Sequence, residues 1–441
     1  MDIFIKDNAE LLMYIVAALV FAILFILAKK KINFSIRVLT AMVLGIIAGI
    51  LFKEAATYLK VFGNVYVKLI KLIVIPLVFV SIIKSFTQLE DKKALKNIGL
   101  KSIFWLLITT AIGASIALFA ASITNLGSGF SLPSGTNKNE TFKLIDALYN
   151  IIPSNVFSSA ANNDVLQVIF FAILISIAIV IEGSRHPERV KPFKDLINSS
   201  ASIMNRVTKI IIRFTPYGVF GLVANATARN DASAFKTLGL YIIIIYAVMI
   251  FHFIVVHLGL ITFVAKLNPI RFIKKIYPAQ VVALTTQSSY GTLPVTIKSI
   301  ERVGVSERIA NFVGPLGANM GMNACSGIYP AIVAVFTANA YGTQLTFTHY
   351  LTIVLASVVA SIGIAGVPGI ASVVATVVLA SVGLPLEGLL LVMGVEAFVD
   401  MGRTSLNVTG SIVAATLVAK SEKELDLNKF NSDDSADLQI N

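Results

Sequence analysis

Leu11–Ala28 is a run of eighteen residues without one charged side chain. A helix of that length crosses the hydrocarbon of a bilayer. Further apolar runs follow at Arg37–Phe52, Val65–Phe86, Ser102–Ile123, Val165–Ile181 and Leu238–Val264. In lipid, a backbone must satisfy its own polar groups, so such runs are read as helices of a membrane bundle. Only 14% of the residues are charged and the mean hydropathy is +0.83, whereas soluble domains carry about 25% charged residues. The chain reads as a polytopic membrane protein with one membrane domain.

The formal charge of +12 suggests nucleic acid until its placement is considered. Lys29, Lys30, Lys31 and Arg37 follow the first run. Lys92, Lys93, Lys96 and Lys101 follow the third, and Arg185, Arg189, Lys191 and Lys194 the fifth. Lys266, Arg271, Lys274 and Lys275 follow Val264. These clusters fall on one side of the membrane, which the positive-inside rule makes the cytoplasm. Nucleic acid is therefore not needed to explain the charge, and anionic inner-leaflet lipid suits it. Met1 is expected outside and the C-terminus inside, in the cell inner (plasma) membrane. The first run is too long for a signal core and is followed, not preceded, by lysines, so it reads as a retained helix. A single cysteine, Cys325, excludes an intramolecular disulfide framework.

Several local features shape this bundle. Gly45 and Gly49 form a GxxxG surface for close helix approach. Pro76 is expected to kink its span. Thr109 and Thr110 lie mid-span, where hydroxyls bond to their own backbone. Thr124–Asp164 reads as an external loop with short helical pieces. A less hydrophobic helix near Val190–Ala224 is expected to break at Pro216-Tyr217-Gly218. Ser421–Asn441 reads as a polar, disordered tail.

After Val264 the hydropathy becomes irregular. Tyr277–Ile300 contains TTQSSYGTLPVT and Ala356–Val382 contains ASIGIAGVPG. Broken backbone at membrane depth is tolerated where it lines a cavity, and paired interrupted segments point to a transporter binding site. Between them, Ile309–Ala338 reads as a span carrying Asn319, Asn323 and Cys325. The last span, Leu389–Ala419, contains GVEAFVDMGRTSLNVTG. Asp400, Arg403 and Asn407 there are spaced i, i+3 and i+7, one helix face. Ionised groups at membrane depth cost several kcal/mol unless paired or wetted. A structural ion pair between Asp400 and Arg403 is one reading. A zwitterionic ligand is the other, with its ammonium on Asp400 and its carboxylate on Arg403 or Asn407.

The four motifs TTQSSYGTLPVT, GPLGANMGMNACSGIYPA, ASIGIAGVPG and DMGRTSLNVTG, in this order, resemble the dicarboxylate/amino acid:cation symporter family, the glutamate-transporter fold, from about Arg37 to Lys423. The resemblance implies an all-α elevator transporter, a homotrimer, with re-entrant hairpins at about Phe272–Lys298 and Tyr350–Gly383. Residues 1–36 would add an extra transmembrane helix and basic linker. Residues 37–420 would form the transporter: a scaffold part of about 37–86 and 165–235, and a transport part of about 102–124 and 236–420. Residues 421–441 would be the tail.

Carried over by motif, Asp400 would bind the substrate amino group. Asn407, Ser288 and Ser289 would bind the main-chain carboxylate. Arg403 would read the side chain, Thr404 and Cys325 would line the pocket, and the backbone of Val367 and Gly369 would close over it. Backbone carbonyls of Asn319, Ser361, Ile362 and Ile364 would form a sodium site. No cofactor is implied beyond Na+ or H+ as coupling ion.

Departures from the pattern carry information. A sodium-binding aspartate of glutamate-type members is Asn323 here, an asparagine is Gly321, and a second ion-binding aspartate is Ser411. Thr109 and Thr110 match an ion-site pair, but the accompanying tyrosine reads Leu106. Hard cations favour charged oxygen ligands, so fewer sodium ions, or proton coupling, are expected. The extra first helix, GMNACSGIYPA and DMGRTSLNVTGS resemble the bacterial L-cystine symporter branch, whose bis-zwitterionic substrate offers Arg403 a distal carboxylate. GTLPVT is more similar to glutamate and aspartate members, and Gln287 stands where many prokaryotic members carry arginine. Glu396 matches an acidic position near the start of the last helix.

The resulting expectation is an L-cystine symporter. A sodium-coupled glutamate, aspartate or neutral amino acid symporter of the same fold is the alternative. No HExxH, GxSxG or Walker sequence supports an enzyme. An anion channel is disfavoured, since Arg403 is the basic residue clearly at depth. His252 and His257, five apart, do not make an i, i+4 metal pair, and His186 and His349 are read in loops. All four are taken as structural or exposed.

Overall fold

A computed structural model describes residues 9–32, 34–87, 93–128, 152–162, 164–229, 233–362 and 369–432. The described residues are helical throughout, with isolated bridges pairing Val305 with Leu425 and Met320 with Ile362. Five helical stretches are long and apolar enough to cross a membrane: Ala9–Lys29, Ile36–Tyr66, Asn97–Ile123, Gln167–Arg185 and Lys236–Val264. A bent pair, Pro187–Ile211 with Thr215–Asn225, makes up to six.

Helix α1 (Ala9–Lys29) buries Met13, Ala17, Val20 and Leu24. Leu19 and Phe25, each 62% exposed, face outward. Apolar side chains on the outer surface are what a bilayer, not water, accepts. Phe21 packs edge-on against Phe62 and Tyr217, which fixes α1 to the body. Helix α2 (Phe34–Phe52) is followed by a 3-10 turn, Lys53–Leu59, and helix α3 (Lys60–Thr87) runs through Pro76. The GxxxG expectation holds: a Cβ on Gly49 would lie 2.5 Å from Cβ of Thr227, and one on Gly45 2.8 Å from the Phe220 carbonyl.

Helix α4 (Lys93–Ile123) enters the core. Short α5 (Val156–Ala161) follows, capped by the Asn155 side chain, then α6 (Val165–Arg185), α7 (Pro187–Ile212) and α8 (Thr215–Arg229). The break expected at Pro216 falls just before it, between α7 and α8, with a 47° bend. Proline in the first turn of α8 is where its missing N–H costs nothing. Most of the expected external loop, residues 129–151, lies outside the described residues.

Helix α9 (Ser233–Phe251) continues through π-helical turns, His252–His257 and Leu260–Val264. Two helix pairs come next. Helices α10 (Pro269–Thr286) and α11 (Ser289–Arg302) pack on each other. Asn268 caps the first, accepting from the N–H groups of Ile270 and Arg271. Gln287 turns the chain with φ 53°, and the Ser288 hydroxyl oxygen accepts from Gly291 N–H at 3.0 Å to start the second. Helices α14 (Phe347–Ala360) and α15 (Ile370–Ser381) form the other pair. His349 stands in the first turn of α14, where it completes a capping box with Thr346, and not in a loop.

Ile309–Ala338 is not one continuous span. Helix α12 (Glu307–Gly317) stops, the backbone opens through Ala318–Met322, and a π-helical turn, Asn323–Ile328, leads into α13 (Tyr329–Ala340). Gly321 makes the opening possible. Its φ is +62°, and a Cβ there would sit 2.5 Å from Cβ of Leu106, so both conformation and space favour glycine. Helix α16 (Glu387–Val392) and a 3-10 turn then precede α17 (Glu396–Ser421), which is enclosed by α4, α9, α10, α11 and α12.

The tail departs from the expected disorder up to Ser432. Asp426 N–H donates to the Gly304 carbonyl at 2.8 Å, Phe430 of α18 (Leu427–Asn431) is 2% exposed, and Lys275 Nζ donates to the Lys429 carbonyl at 2.9 Å. Glu424 pairs with Arg308 and accepts from the Ser306 hydroxyl. Apolar burial at Phe430, not visible as a run in a polar segment, holds this end down.

Candidate functional site

The polar face of α17 is buried. Arg403 is 0% exposed, and Glu396, Asp400, Thr404 and Asn407 are buried with it. Helical spacing brings Glu396, Asp400, Arg403 and Asn407 to one side. Nη2 of Arg403 donates to Asp400 Oδ1 at 2.9 Å and to Glu396 Oε1. Its guanidinium carbon lies 4.1 Å from the Tyr329 ring centroid, a cation–π contact in a desolvated setting. The structural ion-pair reading of Asp400 and Arg403 is thus realised. It does not exhaust the site: Nε and Nη1 of Arg403, Oε2 of Glu396 and the Tyr329 hydroxyl are buried without a hydrogen-bond partner. Buried donors left open in this way are unusual and costly. Nε–H and Nη1 lie on different edges of the guanidinium, so a ligand carboxylate would satisfy one of them.

Asn407 faces the π turn. Its Oδ1 accepts from Ala324 N–H at 2.8 Å and Cys325 N–H at 3.4 Å, and its Nδ2 donates to Cys325 Sγ at 2.9 Å. Gly369, in the left-handed region at φ 79°, begins α15. Asp400, Arg403, Thr404 and Asn407 of α17 therefore converge with Cys325. Val367 lies outside the described residues. Ser288 and Ser289 sit at the α10–α11 turn, partly buried and buried respectively. The neighbouring Gln280 reaches α17 through Nε2 to Thr409 Oγ1 at 3.0 Å.

Of the residues expected to offer carbonyls to sodium, Asn319, Ser361 and Ile362 lie together. Gly321 N–H donates to the Ser361 carbonyl at 3.0 Å, Met320 bridges Ile362, and Tyr290 donates to Asn319 Oδ1. A carbonyl has a second lone pair, so Ser361 retains acceptor capacity. Ile364 lies outside the described residues. Ser411 bonds its own helix, donating to the Asn407 carbonyl at 3.1 Å, and packs against Gly317.

Around Asn323 the structure adds a residue that sequence reasoning did not place. Asn323 Nδ2 donates to Thr109 Oγ1 at 2.8 Å and Thr110 Oγ1 at 3.0 Å, while its Oδ1 lies 2.9 Å from His257 Nε2. The two hydroxyls bond their own helix as expected, to the carbonyls of Trp105 and Leu106. His257 and His252 pack with ring centroids 4.7 Å apart. Five-residue spacing opposes two side chains on an α-helix, but on a π turn, bonded i to i+5, it aligns them. The sequence carries no cue for that turn.

A family model for the sodium:dicarboxylate symporter family matches residues 34–421. The L-cystine uptake protein TcyP of Bacillus cereus is 35% identical over 95% of this chain and 96% of that protein. TcyP of Bacillus subtilis is 35% identical over 92% of this chain and 94% of its own length, and that of Shouchella clausii 33% identical over the full length of both. The family and these relatives are transporters, not enzymes. With its multiple apolar helices and the buried polar face of α17, the chain belongs to the sodium:dicarboxylate symporter family.

Proposed function

We propose that this protein is a secondary active symporter that imports L-cystine across the cell inner membrane, with reduced sodium coupling or proton coupling. The observation that carries this reading is the buried Asp400–Arg403–Asn407 face, with two guanidinium nitrogens open. A bis-zwitterion matches that face. One ammonium goes to Asp400, one carboxylate to Asn407 and Ser288–Ser289, and the distal carboxylate to the open side of Arg403. Glu396 then yields its place on Nη2, or shares it. Thr404 and Cys325 line the pocket and the backbone at Val367 and Gly369 covers it. The relatives' names support L-cystine as the substrate.

In this reading the α10–α11 and α14–α15 pairs are re-entrant hairpins whose turns meet at the substrate. Parts of about 102–124 and 236–420 move as a transport unit against a scaffold of about 37–86 and 165–235. The protein works as a homotrimer, N-terminus outside and C-terminus in the cytoplasm. Carbonyls of Asn319, Ser361, Ile362 and Ile364 hold a sodium ion when one is carried. A charge-poor ion environment, Asn323 and Ser411, limits the number of sodium ions.

The test is uptake of labelled L-cystine, aspartate, glutamate and serine into proteoliposomes, with sodium and pH gradients imposed separately. L-cystine accumulation under one of the gradients, poorly competed by glutamate, is expected. Glutamate or aspartate accumulation without L-cystine uptake would overturn the substrate reading. Steep multi-ion sodium cooperativity would overturn the coupling reading.

A further inference from the structure

His252 and His257 are both 0% exposed, deep in the apolar stretch Lys236–Val264. Their rings meet edge to face, 4.7 Å between centroids and 82° between planes. Both nitrogens of His252 and Nδ1 of His257 have no hydrogen-bond partner. The tautomer of His257 follows from its neighbours. Thr109 and Thr110 spend their hydroxyl protons on their own helix, so their oxygens accept from Asn323 Nδ2. That fixes the Asn323 amide with Oδ1 toward His257, so Nε2 carries the hydrogen and Nδ1 is left as a bare lone pair. A neutral His252 adds a second lone pair beside it. Two unsatisfied imidazole lone pairs in an apolar interior are expensive as packing, and each is a place where a proton can add.

We propose that the His252–His257 pair is the proton-binding site of this transporter, linked to the substrate pocket through Asn323. This rests on the symporter reading above. A proton from the side of higher proton activity adds to an imidazole lone pair, giving one imidazolium of charge +1. It leaves from the same nitrogen on the other side, and no other bond changes. The link is covalent and short. Asn323 opens the turn whose next two N–H groups, of Ala324 and Cys325, are held by Asn407 Oδ1. Charge on His257 acts on the Asn323 carbonyl, and the turn passes any shift to Asn407. Coupling of this kind is reciprocal, so substrate must also raise proton affinity.

The elements packed around the rings place no other charge against them among the described residues. Gly113 of α4 lies against His252, Asn323 of the π turn and Gly410 of α17 lie against His257, and Thr109 and Thr110 stand behind Asn323. Lys101 pairs with Glu422 about 12 Å along α4. Glu396, Asp400 and Arg403 close on one another, about 10 Å or more along α17 from Gly410, and Lys420 lies about 15 Å the other way. Cys325 is engaged by Asn407. No third His, Cys, Asp or Glu joins the pair among the described residues, which favours a proton over a divalent metal.

Two readouts test this. In proteoliposomes, the ratio of pH-gradient-driven L-cystine accumulation to L-cystine counterflow at equal pH should fall at least tenfold in His252→Gln and in His257→Gln. A control His186→Gln should keep the wild-type ratio. Wild-type ratios in both variants, or wild-type accumulation under a sodium gradient alone, would overturn the proposal. Independently of substrate, nitrogen NMR of histidine-labelled protein in lipid is read between about pH 8 and pH 5. Ring signals lost in the two variants should pass from neutral to imidazolium, earlier with saturating L-cystine. If those rings stay neutral with and without L-cystine, the proposal fails. Absence of L-cystine counterflow in wild type, with the rings still titrating, would reject the substrate and leave the proton site.

Discussion

Arg403 is the side chain on which the substrate reading turns, and its environment sets the size of the effect. Nη2 already serves Asp400 and Glu396, so Nε and Nη1 remain for a ligand. A distal carboxylate reaches one of them, and a hydrogen bond to a charged group contributes about 1.5–3 kcal/mol. At 1.4 kcal/mol per tenfold, losing it lowers kcat/KM for L-cystine by about tenfold to a hundredfold. Arg403→Ala also strands two buried carboxylates, a loss of about 3–5 kcal/mol in stability. Arg403→Lys is the cleaner test, since it keeps the charge near Asp400 and removes the fork. The assay is initial uptake of labelled L-cystine and of an amino acid without a distal carboxylate, normalised to folded protein by size-exclusion elution. Arg403→Lys should lose at least tenfold more on L-cystine. Equal losses on both substrates would show that Arg403 only holds the helix together, and unchanged L-cystine uptake would remove it from the pocket.

Three other perturbations follow from the packing. Gly410→Ala puts a methyl 2.3 Å from Asn323 Oδ1; overpacking of this kind costs about 1–3 kcal/mol, which should appear as a lower melting temperature in detergent, whereas an unchanged melt would mean that Asn323 moves freely. Glu396→Gln removes one carboxylate from Arg403 Nη2 and should tighten L-cystine binding up to about tenfold; weaker binding in an equilibrium assay would show that Glu396 orients the guanidinium for substrate. Phe430→Ala empties a buried site near Val305 and should destabilise by about 3–5 kcal/mol, visible as proteolysis of the tail. The Ser306 hydroxyl and Arg308 hold the Glu424 carboxyl below its ordinary range, so tail docking is supported above the carboxylate range and weakens as pH falls through it.

What could be read from sequence follows from where the physics is local. Apolar length and basic loops marked the spans, and the i, i+3, i+7 spacing of Asp400, Arg403 and Asn407 marked a shared face that the structure keeps. Glycine spacing at Gly45 and Gly49 marked a close helix contact for the same reason. The opening at Ala318–Met322 was hidden because its residues are as apolar as a helix; only Gly321 against Leu106 gives it away. Docking of the tail combines one buried phenylalanine with contacts to Gly304, Lys275 and Arg308, and the histidine pair rests on a π turn. Both depend on tertiary packing, which periodicity does not encode. Glu396 reads from sequence as an acidic position, and its sharing of one guanidinium nitrogen with Asp400 is set by the packing.

The most direct measurement is a cryo-electron microscopy map of the protein with L-cystine bound. One ammonium should lie on Asp400, the nearer carboxylate at Asn407 and the Ser288–Ser289 turn, and the distal carboxylate on Arg403 Nε or Nη1. Ligand density away from α17, or a bound ligand that leaves both open nitrogens of Arg403 without a partner, would contradict the assignment of this face as the substrate site.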